Sequence, residues 1–280
     1  MSQNSEPYFL TPHPSNLRHP LLIFLPGMDE TGKELLDLET KSLEAGFDDV
    51  RCLVIPPHNF MTWQQLTETT IALIQAELES APQKAVYLCG ESLGGCLALK
   101  LIERAPHLFK RLILVNSASS FPRVAWLNQS LRLLTWTPPL LYKFSPIVIL
   151  WLTSALTRIP LARLRILWKA AQAAPKKTAE CRLSLLSEFR IDETQLRQFT
   201  HPVLLVASQA DRLLPSVAEA QRLSKIFPAA QVVILPRSGH TCLVEPDVNL
   251  YKILQAERFI AVCSSIEYIR GRAVVTHDLI

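Results

Sequence analysis

Six short runs rich in Val, Ile and Leu recur along the chain. They lie at 21–26 (LLIFLP), 50–56 (VRCLVIP), 85–90 (AVYLCG), 111–116 (RLILVN), 203–208 (VLLVAS) and 231–236 (QVVILP), each ending close to a Gly, Pro, Asn or Asp. Unbroken apolar runs, without the alternation of a half-wet sheet, are what parallel strands covered on both faces require. Segments with helical spacing fall between them, at 62–80, 93–105, 216–227 and 246–263. A chain that alternates in this way is confined to an α/β fold with a mostly parallel, doubly wound sheet and right-handed crossovers.

One stretch breaks the alternation. Between Asn116 and Val203 no buried strand is legible, and a Pro-punctuated, helix-like segment holds Trp126, Trp136, Trp151 and Trp168. The expectation is a helical cap at 119–200, inserted after the strand at 111–116, on a core made of 1–118 and 201–280. The tail at 264–280 carries no decisive pattern.

With 280 residues, 49% of them apolar, the chain has enough material for one large core plus an insertion. Cys52, Cys89, Cys96, Cys181, Cys242 and Cys263 are scattered through apolar segments without metal-ligand spacing. They read as reduced core thiols, and no metal or other cofactor is expected. The start lacks a basic region followed by an apolar one, and no run of about 18 uncharged apolar residues occurs. A cytoplasmic protein, soluble or peripheral to a membrane, is the expectation.

The chemistry begins after the third run, where Gly90-Glu91-Ser92-Leu93-Gly94 joins a strand (AVYLC) to a helix (LGGCLALKLIER). A turn this tight holds its central serine in strained geometry and leaves no room for side chains two residues either way. The hydroxyl then stands at a helix N-terminus, where free N–H groups favour developing negative charge. The plain alternative is a strand–helix turn with an idle serine. Glycine is scarce here, 8 of 280 residues, so two of them around one serine point to a built elbow.

A lone serine is a poor nucleophile and needs a base with an orienting acid. In this fold they follow the serine in the order acid, then histidine, each past the end of a later strand. VLLVASQAD places Asp211 there, and VVILPRSGH places His240. His13, His19, His58, His107, His201 and His277 sit on the wrong element or the wrong side. The plain alternative for Asp211 is a turn aspartate capping the next helix; as rival acids, Asp192, Glu193 and Asp247 are less well placed. Two oxyanion donors are expected: the N–H of Leu93, and the N–H of Met28 in the loop that Gly27 bends after the first run.

Together, LPGMDETG, GESLGG, ASQADRLLPS and RSGHTCLVEPD resemble the α/β-hydrolase superfamily. Within it they are most similar to the phytyl ester synthase-like group of esterases, lipases and thioesterases. Glu30 stands where that group's LPG-x-D-G-T-G loop has its second glycine, and a counterpart of the group's C-terminal acyltransferase domain is not expected within these 280 residues. The resemblance implies acyl esters or thioesters of lipids as substrates, cleaved through an acyl-serine intermediate. It leaves open whether water or a long-chain alcohol or glyceride accepts the acyl group. A non-catalytic lipid-binding protein on the same fold is the remaining alternative, and a missing triad member would have favoured it.

From 104 to 179 there are twelve Lys and Arg and no Asp or Glu, so against a chain total of +4 the rest of the chain carries −8. PIVILWLTSAL, at 146–156, is too short to span a bilayer but suits its interface. Two readings stay open: peripheral contact of the basic cap with anionic membrane, or a greasy roof over an acyl pocket with solvated charges around it. Nucleic acid is not an expected partner, since no recognition motif accompanies the charge.

Overall fold

The computed structural model describes residues 6–11, 20–28, 33–43, 46–47, 49–79, 81–82, 84–127, 129, 136, 138, 145–173, 175–260, 266–269 and 272–275. Five parallel strands form the centre of the sheet: β2 (Leu21–Leu25), β3 (Val50–Val54), β4 (Val86–Glu91), β5 (Arg111–Val115) and β6 (Val203–Ser208). With β1 (Tyr8–Leu10) and β7 (Ala230–Leu235) they make seven strands in the order β1-β3-β2-β4-β5-β6-β7. Every neighbouring pair is parallel except β1, which runs antiparallel to β3.

The two-residue period of a strand splits its side chains between two cores. Leu21, Ile23 and Leu25 face one, together with α2 (Trp63–Glu79) and α3 (Leu93–Arg104). Leu22 and Phe24 face the other, with Leu36 of α1 (Lys33–Thr40) and Leu250 of the final helix. α2 buries Trp63, Leu66, Thr67, Thr70 and Ile74, a 3–4 spacing that lays one stripe on the sheet. The two threonines are tolerated there because their hydroxyls donate to the Trp63 and Leu66 carbonyls, both at 2.7 Å.

Between β5 and β6 come α4 (Ser145–Thr153), α5 (Leu161–Ala173), α6 (Lys176–Glu188) and the single turn α7 (Glu193–Leu196). Leu186 of α6 and Leu196 of α7 join the main core, and Trp63 Nε1 donates to Leu185 C=O at 2.6 Å. α5 belongs to a smaller cluster, in which Ile159 and Leu167 meet Leu35 of α1 and Val244.

Four features depart from the sequence expectation. β1 is a three-residue edge strand, too short to leave a pattern, and α1 fills the segment 33–40, for which the sequence predicts no helix. β7 is an edge strand, so its side chains are half-buried or exposed where burial on both faces was expected. The last helix is shorter than 246–263. Asn249 caps its start by accepting from Lys252 N–H at 2.9 Å, and the helix, α9 (Leu250–Ala256), ends at Ala256. Arg258 then adopts φ 53° and Phe259 N–H closes on Leu254 C=O at 2.8 Å, a left-handed stop. α8 (Ser216–Ser224) covers β6 and β7. In the tail, β8 (Ile266–Ile269) and β9 (Arg272–Val275) form a separate antiparallel hairpin.

Candidate active site

Ser92 stands between β4 and α3 at φ 50°, ψ −113°, a left-handed backbone that L-residues adopt only under constraint. The constraint is backbone on both sides. Ser92 N–H donates to Val115 C=O at 3.1 Å, and Ser92 C=O accepts from Ala118 N–H at 3.0 Å. The glycines of the elbow are required by space. A Cβ on Gly94 would lie 2.0 Å from Leu25 O, and one on Gly90 would lie 2.5 Å from Gly94 O. α3 begins pressed against the end of β2, with Leu25 and Pro26 backbone against Gly94, so the Gly27–Met28 loop leaves β2 next to the start of α3. Met28 is half-buried on the same core as Leu93. As the first residue of α3, Leu93 has no intrahelical acceptor for its N–H. Residues 29–32, including Glu30, lie outside the described residues.

His240 arrives from the loop after β7, and its Nε2 is 2.9 Å from Ser92 Oγ across 148 residues of sequence. Its Nδ1 is 2.7 Å from Asp211 Oδ2. Asp211 follows β6 and is enclosed by donors. Leu213 and Leu214 N–H reach Oδ1 at 2.8 and 3.0 Å, and the Ser216 hydroxyl donates to Oδ2. Burial by itself would push this carboxyl up, but His240, Ser216 and the Leu214 N–H outweigh it and hold it below the usual aspartate range. An ionised Asp211 keeps the proton on Nδ1, so Nε2 faces Ser92 as an acceptor. The three residues named from the sequence are therefore brought into one hydrogen-bonded chain.

Two further residues shape this arrangement, and the sequence did not single them out for it. Asn116, at φ 44° and 1% exposed, ends β5. Its amide donates to His240 C=O at 2.7 Å and to Ser208 Oγ at 2.9 Å, while its oxygen accepts from Ser208 N–H at 2.8 Å. One side chain thus ties two strand ends to the histidine loop. The legible signal was an Asn at a strand end, a residue type that tolerates positive φ.

The second is Glu245, whose side chain is fully buried. Its Oε1 accepts from Gly239 N–H at 2.8 Å, one residue before the histidine. Its Oε2 lies 3.2 Å from Arg158 Nε of the insertion, a charge–charge contact not aligned as a hydrogen bond. Burial raises the Glu245 carboxyl above the usual glutamate range, against the lowering by Gly239 N–H, Ser238 and Arg158. The insertion also grips this loop through Thr153 C=O, which accepts from Thr241 N–H at 3.0 Å, and through Ser154 Oγ, 3.1 Å from Thr241 Oγ1. Glu245→Ala should cost about 2–3 kcal/mol of stability, since Gly239 N–H and Arg158 lose a buried partner. It should also lower kcat about tenfold or more by loosening His240. Glu245→Gln keeps an acceptor at Oε1 and should restore most of kcat; a glutamine variant as slow as the alanine one would refute this positioning role.

Among the described residues, the cysteines and metal-ligand types offer no rival chemistry. Burial raises the thiols of Cys52 (to about 12), Cys89, Cys96, Cys181 and Cys242, so none of these described cysteines is a thiolate near neutrality. His13, His19, His277 and Cys263 lie outside the described residues. Among the described residues no His, Cys, Asp and Glu cluster has metal-holding geometry. A groove of about 500 Å³ lies on the outer faces of α2 and α3, lined by Trp63, Glu68, Lys100, Glu103 and Arg190. Lys100 and Glu103 are two to three turns along α3 from Ser92, so this groove is a separate surface feature.

Comparison with known proteins places these residues in context. The Hydrolase_4 model, described as serine aminopeptidase S33, matches residues 58–247. Phytyl ester synthase 1 of Arabidopsis thaliana, a chloroplastic protein, is 30% identical over 259 residues, covering 84% of this chain. The chain spans about a third of that relative's length (36%). A pimeloyl-(acyl-carrier protein) methyl ester esterase of Aromatoleum aromaticum is 30% identical over 239 residues, covering 80% of this chain and 92% of its own. Among solved structures, an esterase from Exiguobacterium antarcticum superposes with a TM-score of 0.68 at 14% identity, covering 90% of this chain and 94% of its own. A membrane phospholipase A does so at 0.67 and 22%, covering 89% and 80%. At these identities the two structures speak for the α/β-hydrolase fold.

Proposed function

Since this chain belongs to the Hydrolase_4 family, in the phytyl ester synthase-like group of α/β-hydrolases, we propose that it cleaves acyl ester or thioester bonds of lipid-like substrates through an acyl-serine intermediate. The observation that carries this reading is the continuous hydrogen-bonded chain from Asp211 through His240 to Ser92. His240 Nε2 takes the proton of Ser92 Oγ as that oxygen attacks the acyl carbonyl, and Asp211 stabilises the imidazolium that forms. The tetrahedral oxyanion is held by the N–H groups of Leu93 and Met28, each supplying roughly 3–4 kcal/mol of barrier lowering. His240 then returns the proton to the departing alcohol or thiol. Water, activated by the same imidazole, releases the acyl group. Each of these steps uses side chains and backbone of this chain alone.

The lipid class is supported by the apolar character of the insertion next to His240 and by the relatives' names. The phytyl ester synthase likeness favours a second reading, in which a long-chain alcohol or a glyceride replaces water as acceptor. A panel of nitrophenyl esters and acyl thioesters of increasing chain length, with and without long-chain alcohol, tests both. Hydrolysis that strengthens with acyl length is the expected result. Ester formation outpacing hydrolysis would replace the hydrolase reading with the transferase one, and inertness toward every acyl donor would overturn both.

A further inference from the structure

The insertion keeps in solvent the side chains least suited to water. Trp136 is 86% exposed, Leu161 74%, and Ile147 and Trp151 55% each. With Trp126 and Leu156, six of the nine large exposed apolar side chains among the described residues fall between 126 and 161. Scattered apolar residues on a surface mean little, but this concentration marks a surface that is covered in use. α4 carries no charge over nine residues, and Ile147 and Trp151 stand one helical turn apart on it.

This apolar surface begins at the rim of the triad. Thr153 C=O, at the end of α4, accepts from Thr241 N–H beside His240. Trp151 C=O accepts from Arg212 at 3.1 Å, and the Arg212 guanidinium lies 5.3 Å from the Trp151 ring. Arg212 itself follows Asp211. Exposed cations accompany the apolar residues: Arg212 lies at Trp151, and Arg165 and Lys169 follow the exposed Leu161 by one and two turns on the same face of α5. Lys169 reaches Glu34 at 3.8 Å, with both side chains about 70% exposed, so solvent weakens that pair. The 104–179 span offers no carboxylate of its own to compensate.

We infer that this face docks on an anionic lipid surface, with Ile147, Trp151 and Leu161 entering the headgroup–acyl boundary and Arg165, Lys169 and Arg212 meeting the lipid phosphates. The inference rests on the proposed function only for its purpose, delivery of acyl lipid beside His240; the docking needs no chemistry. α4, about 14 Å long, lies in the interface and does not cross it, and no described helix is long and apolar enough to span a membrane. The exposed tryptophans and aliphatic residues favour a bilayer over an acidic protein, which would use the charges and leave the apolar residues wet.

The test is co-sedimentation of the full chain carrying Ser92→Ala with phosphatidylcholine vesicles, pure or with about 30% phosphatidylglycerol. The inactive chain separates docking from turnover, so failure of hydrolysis does not touch this result. Binding should be at least about tenfold stronger on the anionic vesicles and should fall as added salt shortens the screening length. Each cation at the surface contributes about fivefold, so the double change Arg165→Glu, Lys169→Glu should weaken binding by about twentyfold or more. Ile147→Ser with Trp151→Ser should weaken it on anionic vesicles even at low salt, and thermal midpoints report that both double variants fold. Equal binding to both vesicle types, no binding to either, or indifference to the charge reversals would overturn the inference. So would capture of an acidic acyl carrier protein without vesicle binding.

Discussion

Replacing Ser92 by Ala should lower kcat toward acyl esters by roughly 10⁴–10⁶ while leaving the fold in place. The hydroxyl is the atom that forms the acyl bond, and nothing nearby substitutes for it, since Cys96 and Cys242 are buried thiols with raised pKa. Ser119 is 0% exposed and committed to Glu219, so it is no replacement either. Stability should change by less than about 1 kcal/mol, because alanine meets the same φ of 50° and loses one hydrogen bond, that to His240. Adding His240→Ala to Ser92→Ala should cost almost nothing more, since the two groups act as a unit. Rates measured on a soluble nitrophenyl ester, with circular dichroism and thermal midpoints as controls, decide the matter. Residual activity of the alanine variant within tenfold of the parent would remove Ser92 as nucleophile, and with it the acyl-serine route.

Asp211→Asn should lower kcat by about 10⁴ with little change in KM. The carboxylate accepts from four donors: His240 Nδ1–H, the Ser216 hydroxyl and the Leu213 and Leu214 N–H groups. An asparagine amide has one acceptor oxygen. If that oxygen serves Leu213 and Leu214, its NH₂ faces His240 Nδ1 and stabilises the tautomer whose Nε2 carries a proton, which cannot accept one from Ser92. The exchange also has a signature in stability. The folded-state pKa of Asp211 lies below its unfolded value, so its contribution is complete above about pH 4 and is lost as pH falls through the folded value. The stability gap between parent and variant should therefore be widest near neutrality and narrow in acid. A gap that stays constant from pH 7 to pH 3 would mean that Asp211 carries no favourable charge interaction.

What could be read from the chain alone, and what could not, divides along a physical line. Local steric demands and one-dimensional periodicity act between residues close in sequence, so the sequence displays them. The unbroken apolar runs determined that β2 to β6 lie inside a parallel sheet, and the scarce glycines at 90 and 94 determined a tight elbow at Ser92. The order of strand ends singled out Asp211 and His240 as residues at the same edge of that sheet. The edge strand β1 escaped, because three residues leave no pattern, and although the run at 231–236 announced β7, its half-wet place at the sheet margin did not show. The contacts made by buried polar groups escaped as well. Nothing in the string says that Asn116 reaches His240 across 124 positions, or that Glu245 meets Arg158 of the insertion. Such partners are selected by where the backbone has already gone, and only the folded chain decides which unpaired donor finds which acceptor. The charge of the insertion was plain in the sequence; that its exposed Trp151 lies against Arg212, next to Asp211, was decided by the packing of α4 against the histidine loop.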